Sequence, residues 1–171
     1  FTDSSGNSWL SARDVTWYSN VTTCKVPIVQ HEKYTASVLN NMVIPTGDRV
    51  IIHLGTLPNG KYYEQGSMSL QIGGETWVLV DTFAKSKPTD KHFMVSVDES
   101  LSPYIMFGDG TFGKKPAAGA KITNVVFYLT NGTQGNVKSN TITSVPSVIS
   151  SSITDATVSN AYDAGGGSNY E

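Results

Sequence analysis

The fifteen residues SMSLQIGGETWVLVD, 67–81, admit few folds. Met68, Leu70 and Ile72 alternate with Ser67, Ser69 and Gln71, the period of a strand with one dry face and one wet face. Gly73-Gly74 then supplies two positions that tolerate positive φ, and ETWVLVD returns as a second strand, so the stretch reads as a β-hairpin. The same period recurs in HFMVSVD, with Phe93, Val95 and Val97 on one face, and strands are also expected in YIMF (104–107), ITNVVFYLT (122–130), VIIHLG (50–55) and KVPIVQ (25–30). Pro27 puts the last of these at an edge or a strand end.

Between these runs stand the turn signals PTGD, LPNGK, KPTD, GDG, PAAG and TNGTQGN. No apolar set recurs at helical spacing over three turns, and the nearest helix candidate is HEKYTASVLNNM, 31–42. The expected class is therefore all-β with little helix, an antiparallel sandwich or barrel-like domain with an inserted lobe. Segments are expected at 1–48 (an N-terminal β segment packing with 141–160), 49–140 (the main β domain) and 141–171. The last is Ser-rich, irregular and read as leading to a downstream domain. Because the first residue is Phe1, the chain reads as a fragment, one excised domain.

A chain of 171 residues can bury roughly 70% of its unfolded surface and needs no metal or disulfide to be stable. Charged residues are only 15% of it, against a typical ~25%, and Ser, Thr and Asn fill the gap. That surface suits strands and turns better than exposed helices. A net charge of −2 gives no general attraction for nucleic acid or an anionic membrane. The small basic runs Lys85, Lys87, Lys91 and Lys114, Lys115 read as solvated loop tips, and no run of residues is apolar and long enough to span a membrane.

GDGTFG, 108–113, fits the spacing G-x-G-x-x-G of dinucleotide-binding and kinase phosphate loops. In the first case a helix must follow, whose N-terminal N–H groups hold the phosphate. Here KKPAAGAK follows, and Pro116 and Gly119 leave no room for that helix; the acidic residue due about 20 positions later is missing as well. The kinase companions V-A-I-K, H-R-D and D-F-G are also missing from the sequence. The glycines are instead read as backbone devices: Asp109-Gly110 as a two-residue turn linking one strand to the next, Gly108 and Gly113 as bends, and Phe107 and Phe112 packing across the turn.

Other chemistry finds little support. His31, His53 and His92 lack partners at metal-ligand spacing, and Cys24 reads as a buried or inert thiol that cannot form an internal disulfide. Fourteen acidic residues include no short motif for a carboxylate pair. The sequons at Asn20 and Asn131 are discounted as chance matches in a Thr- and Asn-rich chain. Trp9, Trp17 and Trp77 would be the aromatic platform of a carbohydrate- or receptor-binding β-domain from a tail tip or fibre, the alternative reading; Trp77 fits core or interface better.

One longer unit carries a resemblance. In YIMFGDGTFGKKPAAGAKITNVVFYLTNGTQGNV, 104–137, a strand runs into F-G-D-G-x-F-G (Phe107, Gly108, Asp109, Gly110, Phe112, Gly113). A x-x-P-x-x-G loop (Pro116, Gly119), a strand, and a turn ending in G-N (Gly135, Asn136) follow. Together with the upstream hairpin and the downstream VSNAYDAGGGSNYE, this resembles the baseplate J-like family of contractile-tail phages and related injection machines, in particular the wedge subunits of the baseplate inner ring. The resemblance covers 67–171; the first 45 residues match only loosely. It implies a non-enzymatic virion component in the tail baseplate, assembled in the host cytoplasm. Its partners would be other copies of itself, as a dimer within a ring, and other wedge subunits. It implies no cofactor, metal, small-molecule ligand, nucleic-acid or membrane partner.

Overall fold

The computed structural model describes residues 1–11, 23–36, 39, 42–145, 147 and 157–167. The chain is mainly β, with twelve strands and two 3-10 turns among these residues. By contact density it divides into one compact unit of residues 33–129 and another of 1–32 with 130–171, whereas the segment ends expected from sequence lay at 48 and 140.

The larger unit is built on a curled eight-stranded sheet of order β4-β11-β7-β8-β9-β10-β5, with β6 also paired to β11. Its strands are β4 (Glu32–Thr35), β5 (Ile51–His53), β6 (Tyr62–Tyr63), β7 (Ser69–Ile72), β8 (Glu75–Leu79), β9 (His92–Val97), β10 (Pro103–Phe107) and β11 (Ile122–Thr130). The hairpin read from residues 67–81 is β7–β8. Ile72 pairs with Glu75 across Gly73 (φ 58°) and Gly74 (φ 81°), the two positive angles that a tight primed turn needs. Leu70, Ile72 and Trp77 from this hairpin are buried with Phe93, Ile105, Phe107, Val125, Phe127 and Leu129 in one apolar core. Trp77 meets Phe107 edge-on at 5.4 Å, and Phe127 stacks near Tyr34 at 5.0 Å and Tyr63 at 5.6 Å.

Two expectations are corrected here. The sheet is not wholly antiparallel: β8 and β9 run parallel, Val78 opposite His92 and Leu79 opposite Phe93. The connection over 80–91 is about as short as a parallel crossover can be. It is tightened by a 3-10 turn at Phe83–Lys85, capped by Thr82, and by the Ser86 hydroxyl on His92 Nδ1 at 2.8 Å. Nor is 31–42 one continuous helix: Glu32–Thr35 is a strand whose Tyr34 ring packs on Phe127, and after it Leu39 N donates to Ala36 O and Met42 N to Leu39 O. Weak helix propensity yields there to tertiary packing; residues 37, 38, 40 and 41 of that stretch lie outside the described residues.

β11 shows why a nine-residue strand keeps one dry face despite an irregular pattern. Ile122 and Val125 are both fully buried although they are three residues apart. The ladder to β7 slips between Thr123 and Val126, and Asn124 takes φ 53°, so the strand bulges and alternation resumes in phase. Asn tolerates that left-handed angle better than other non-glycine residues, and its amide donates to Gln71 Oε1 at 2.7 Å.

In the other unit, β1 (Thr2–Asp3) pairs with β12 (Ile142–Ser144) and β2 (Leu10–Ser11) with β3 (Ile28–Val29). Among the described residues, Trp9 and Ile142 are its buried large apolar side chains. The Ser-rich stretch expected to be irregular falls largely at 146 and 148–156, outside the described residues.

Asn124→Val should cost about 1–2 kcal/mol, because a β-branched residue cannot hold the left-handed angle without strain. Asn124→Gly should keep the bulge, and urea unfolding of the two variants distinguishes them.

Candidate functional site

β10 ends at Phe107, and the GDGTFG loop that follows closes on itself. Gly110 N donates to Gly113 O at 3.0 Å, and the Asp109 carboxylate accepts from Thr111 N at 2.7 Å and Phe112 N at 2.9 Å. These bonds from Phe112 and Thr111 hold the Asp109 carboxyl below its ordinary range. A Cβ on Gly108 would lie inside the envelope of the Gly113 backbone, and one on Gly113 would come within 3.2 Å of the Phe83 ring. Positive φ is needed at Gly110 (94°) and Gly113 (83°). The glycines therefore serve close backbone packing, as read from sequence, but the turn differs from the expected one. Asp109 does not adopt positive φ, and the loop does not join paired strands: β10 lies between β9 and β5, while β11 lies between β4 and β7. The reason is that the Asp109 side chain, rather than a hairpin ladder, satisfies the loop's N–H groups.

The two phenylalanines also part company. Phe107 is buried against Trp77 and Phe93, whereas Phe112 is 54% exposed. Phe112, Phe83, Met94, Met106 and Ile51 line a shallow groove of about 250 Å³, with Arg49 and Asp109 also in its wall. Its floor is a cross-strand row in which Met106 pairs with Met94 on one side and Ile51 on the other. The following x-x-P-x-x-G loop places Pro116 in the interior and bends at Gly119 (φ 81°), whose N–H donates to Ile44 O at 2.8 Å. Val43 and Lys121 then form a bridge beside it.

Gly135 and Asn136, in the other unit, end a 3-10 turn at Gly132–Gly135. A Cβ on Gly135 would sit 2.8 Å from Gln30 Oε1, and that oxygen accepts from Asn131 N at 2.9 Å. Asn136 grips the backbone of Gly167 from both sides, its Nδ2 donating to the Gly167 carbonyl and its Oδ1 accepting from the Gly167 N–H, each at 2.9 Å. A side chain on Gly167 would run into the Gly132 carbonyl. The glycine-rich segments TNGTQGN (130–136) and DAGGG (163–167) thus clasp one another through Asn136 and Gly167, 31 positions apart in the chain. Further along, Asn160 Oδ1 accepts from Thr141 N and Ile142 N at 3.0 Å each, and Asp163 accepts from Lys138 Nζ and Ser139 N at 2.8 Å each. A polar chain lies next to this clasp. Asp3, 5% exposed, accepts from Ser5 N, Asn7 N, Asn7 Nδ2 and Trp9 Nε1, and Asn7 Oδ1 accepts from Asn131 Nδ2 at 2.5 Å. Burial alone would push the Asp3 carboxyl up; the bonds from Trp9, Asn7 and Ser5 outweigh it and hold the group below its ordinary 3.8.

These contacts revise the remaining sequence-based candidates. Trp9 and Trp77 are each 4% exposed, so neither forms an open aromatic platform, and Trp17 lies outside the described residues. Asn131 is buried with its amide engaged, which leaves no room for a glycan; the sequon at Asn20 lies outside the described residues. Cys24 is exposed, not buried. Among the described residues no group of three or more His, Cys, Asp or Glu side chains is placed to hold a metal. The sequence reading missed one side-chain pair, Ser86 with His92. No sequence signal marked it, because the pair meets only once β8 and β9 run parallel. Ser86 is buried (8% exposed), and its hydroxyl, bonded to Nδ1, ties the middle of the crossover to the first residue of β9.

No family model, curated protein or solved structure matches the chain.

Gly108→Ala should cost about 1–3 kcal/mol by forcing Gly113 away, whereas Phe112→Ala should stay within about 0.5 kcal/mol; denaturant midpoints report both. The Asp3 contribution has a defined pH sense. Its folded value is depressed, so the stability it contributes is fully present above the unfolded value near 3.8 and is lost as pH falls through the lower folded value. The Trp9 indole N–H resonance should shift in that acid window in the native chain and lose this titration in Asp3→Asn.

Proposed function

We propose that this chain is a structural domain of a contractile-tail phage baseplate wedge, of the baseplate J-like kind. In this role it contributes to the ring around the central hub and moves as a rigid body when the tail contracts. The observation that carries the reading is the use made of the motif residues. Gly108 and Gly113 are fixed by backbone contact, Pro116 by burial, and Gly135 and Asn136 by the clasp to Gln30 and Gly167. Residues with those duties specify a scaffold, and a β-rich scaffold with short edge strands suits repeated contacts around a closed ring. Switching in such an assembly belongs at the joints between rigid bodies. The domain would act in the virion tail after assembly in the host cytoplasm, with partners that are copies of itself and other wedge subunits. It would need no cofactor, nucleic acid, membrane or small-molecule ligand. A carbohydrate-binding role is the weaker reading, because two of its three tryptophans are core residues.

Sedimentation of the full-length protein, alone and with the wedge subunits encoded beside it, tests the proposal. The expected result is a complex containing more than one copy of this chain. A protein that remains monomeric with every such partner overturns it.

A further inference from the structure

The turn signal LPNGK, 57–61, has no part in the motif loops or the clasp. Its residues Asn59 and Gly60 are both exposed, in a turn closed by Lys61 N on Pro58 O at 3.0 Å, with Gly60 at φ 73°. Neither the Asn59 side chain nor the Gly60 N–H has a hydrogen-bond partner among the described residues. We propose that Asn59-Gly60 is a site of spontaneous covalent modification, at which Asn59 converts through a cyclic imide to aspartate and isoaspartate, and that the fold protects the two chemically similar sites elsewhere in the chain.

The step is a transacylation that needs only water. The Gly60 amide nitrogen, losing its proton to solvent base, attacks Asn59 Cγ, and a C–N bond closes a five-membered imide. The Cγ–Nδ2 bond breaks, and the side-chain nitrogen leaves as ammonia with a proton from water. A water molecule then opens either ring carbonyl. One opening restores the normal main chain with an aspartate; the other routes the main chain through the side chain as isoaspartate. Overall one water is consumed, one ammonia is released, and one negative charge is added beside Lys61. Glycine at the following position matters because no Cβ hinders the attacking nitrogen.

The other Asn-Gly pair is Asn131-Gly132. Asn131 is 5% exposed, its Nδ2 is committed to Asn7 Oδ1 and its backbone N–H to Gln30 Oε1. The side chain cannot swing onto the next nitrogen without breaking that network, and the water for ring opening is excluded. At Asp109-Gly110 the loop is exposed, but cyclisation there requires a neutral carboxyl that leaves as water. The Asp109 carboxylate instead accepts the Thr111 and Phe112 N–H groups and is fixed in its ionised form and geometry. Three sites of similar local sequence thus differ in reactivity through tertiary and turn contacts alone.

The test is incubation of the folded protein in heavy-oxygen water at mildly alkaline pH, followed by peptide mapping for label and for isoaspartate. The expected result is label in the Asn59 peptide, none in the Asn131 and Asp109 peptides, and loss of the new acidic species in Asn59→Gln. In denaturant, Asn131 should take up label alongside Asn59. An unlabelled Asn59 peptide in the folded protein overturns the proposal. So does labelling of Asn131 in the folded protein at the rate of Asn59, or an Asn131 that stays inert when unfolded.

Discussion

The larger unit depends on β11 keeping one face dry over nine residues. Ile122, Val125, Phe127 and Leu129 are each at most 1% exposed, and they can share a face only because Asn124 absorbs one residue in a bulge. Without it, every side chain on one side of Asn124 would change faces. β7, β4 and β6 all align on this strand, so its phase sets which of their residues point inward. Tyr34 and Tyr63 reach Phe127 from two of those neighbours.

At the other end of the sheet the constraint is a close approach of backbones. The parallel β8–β9 pair requires a crossover, and that crossover places Phe83 against Gly113. Gly113 in turn touches Gly108, which leaves β10 directly after the buried Phe107. The loop GDGTFG is thereby wedged between the crossover and its own strand. Its Asp109 supplies the acceptor that a hairpin ladder would otherwise provide. Among the described residues of the second unit apolar burial is sparse, and side-chain amides and carboxylates take over the organising role, through Asp3, Asn136, Asn160 and Asp163. A buried network of this sort is specific because each member left unpaired would carry a desolvation cost.

The legible parts of the sequence were those governed by neighbours along the chain. Alternation in 67–81 and Gly73-Gly74 fixed a hairpin, and β9, β10 and β11 lie where their apolar periods placed them. The failure of GDGTFG as a phosphate loop was legible for the same reason, since a helix after Gly113 is a local requirement. The start of the 31–42 stretch misled because Glu32–Thr35 was decided by Tyr34 packing on a residue over 90 positions away. Trp9 offered no local sign that Asp3 would hold its indole in the interior.

By itself, then, the sequence determined strand content, turn positions and the need for glycine at 73, 74, 110 and 113, because these follow from φ preferences and a two-residue period. Only the tertiary structure decided that β8 and β9 run parallel, that Gly108 must lie bare against Gly113, that Asn136 closes on Gly167, and that one Asn-Gly pair is buried while another faces water. Those outcomes depend on which distant segments meet, and the pairing of distant segments is set by burial of the shared core rather than by any pattern within a single segment.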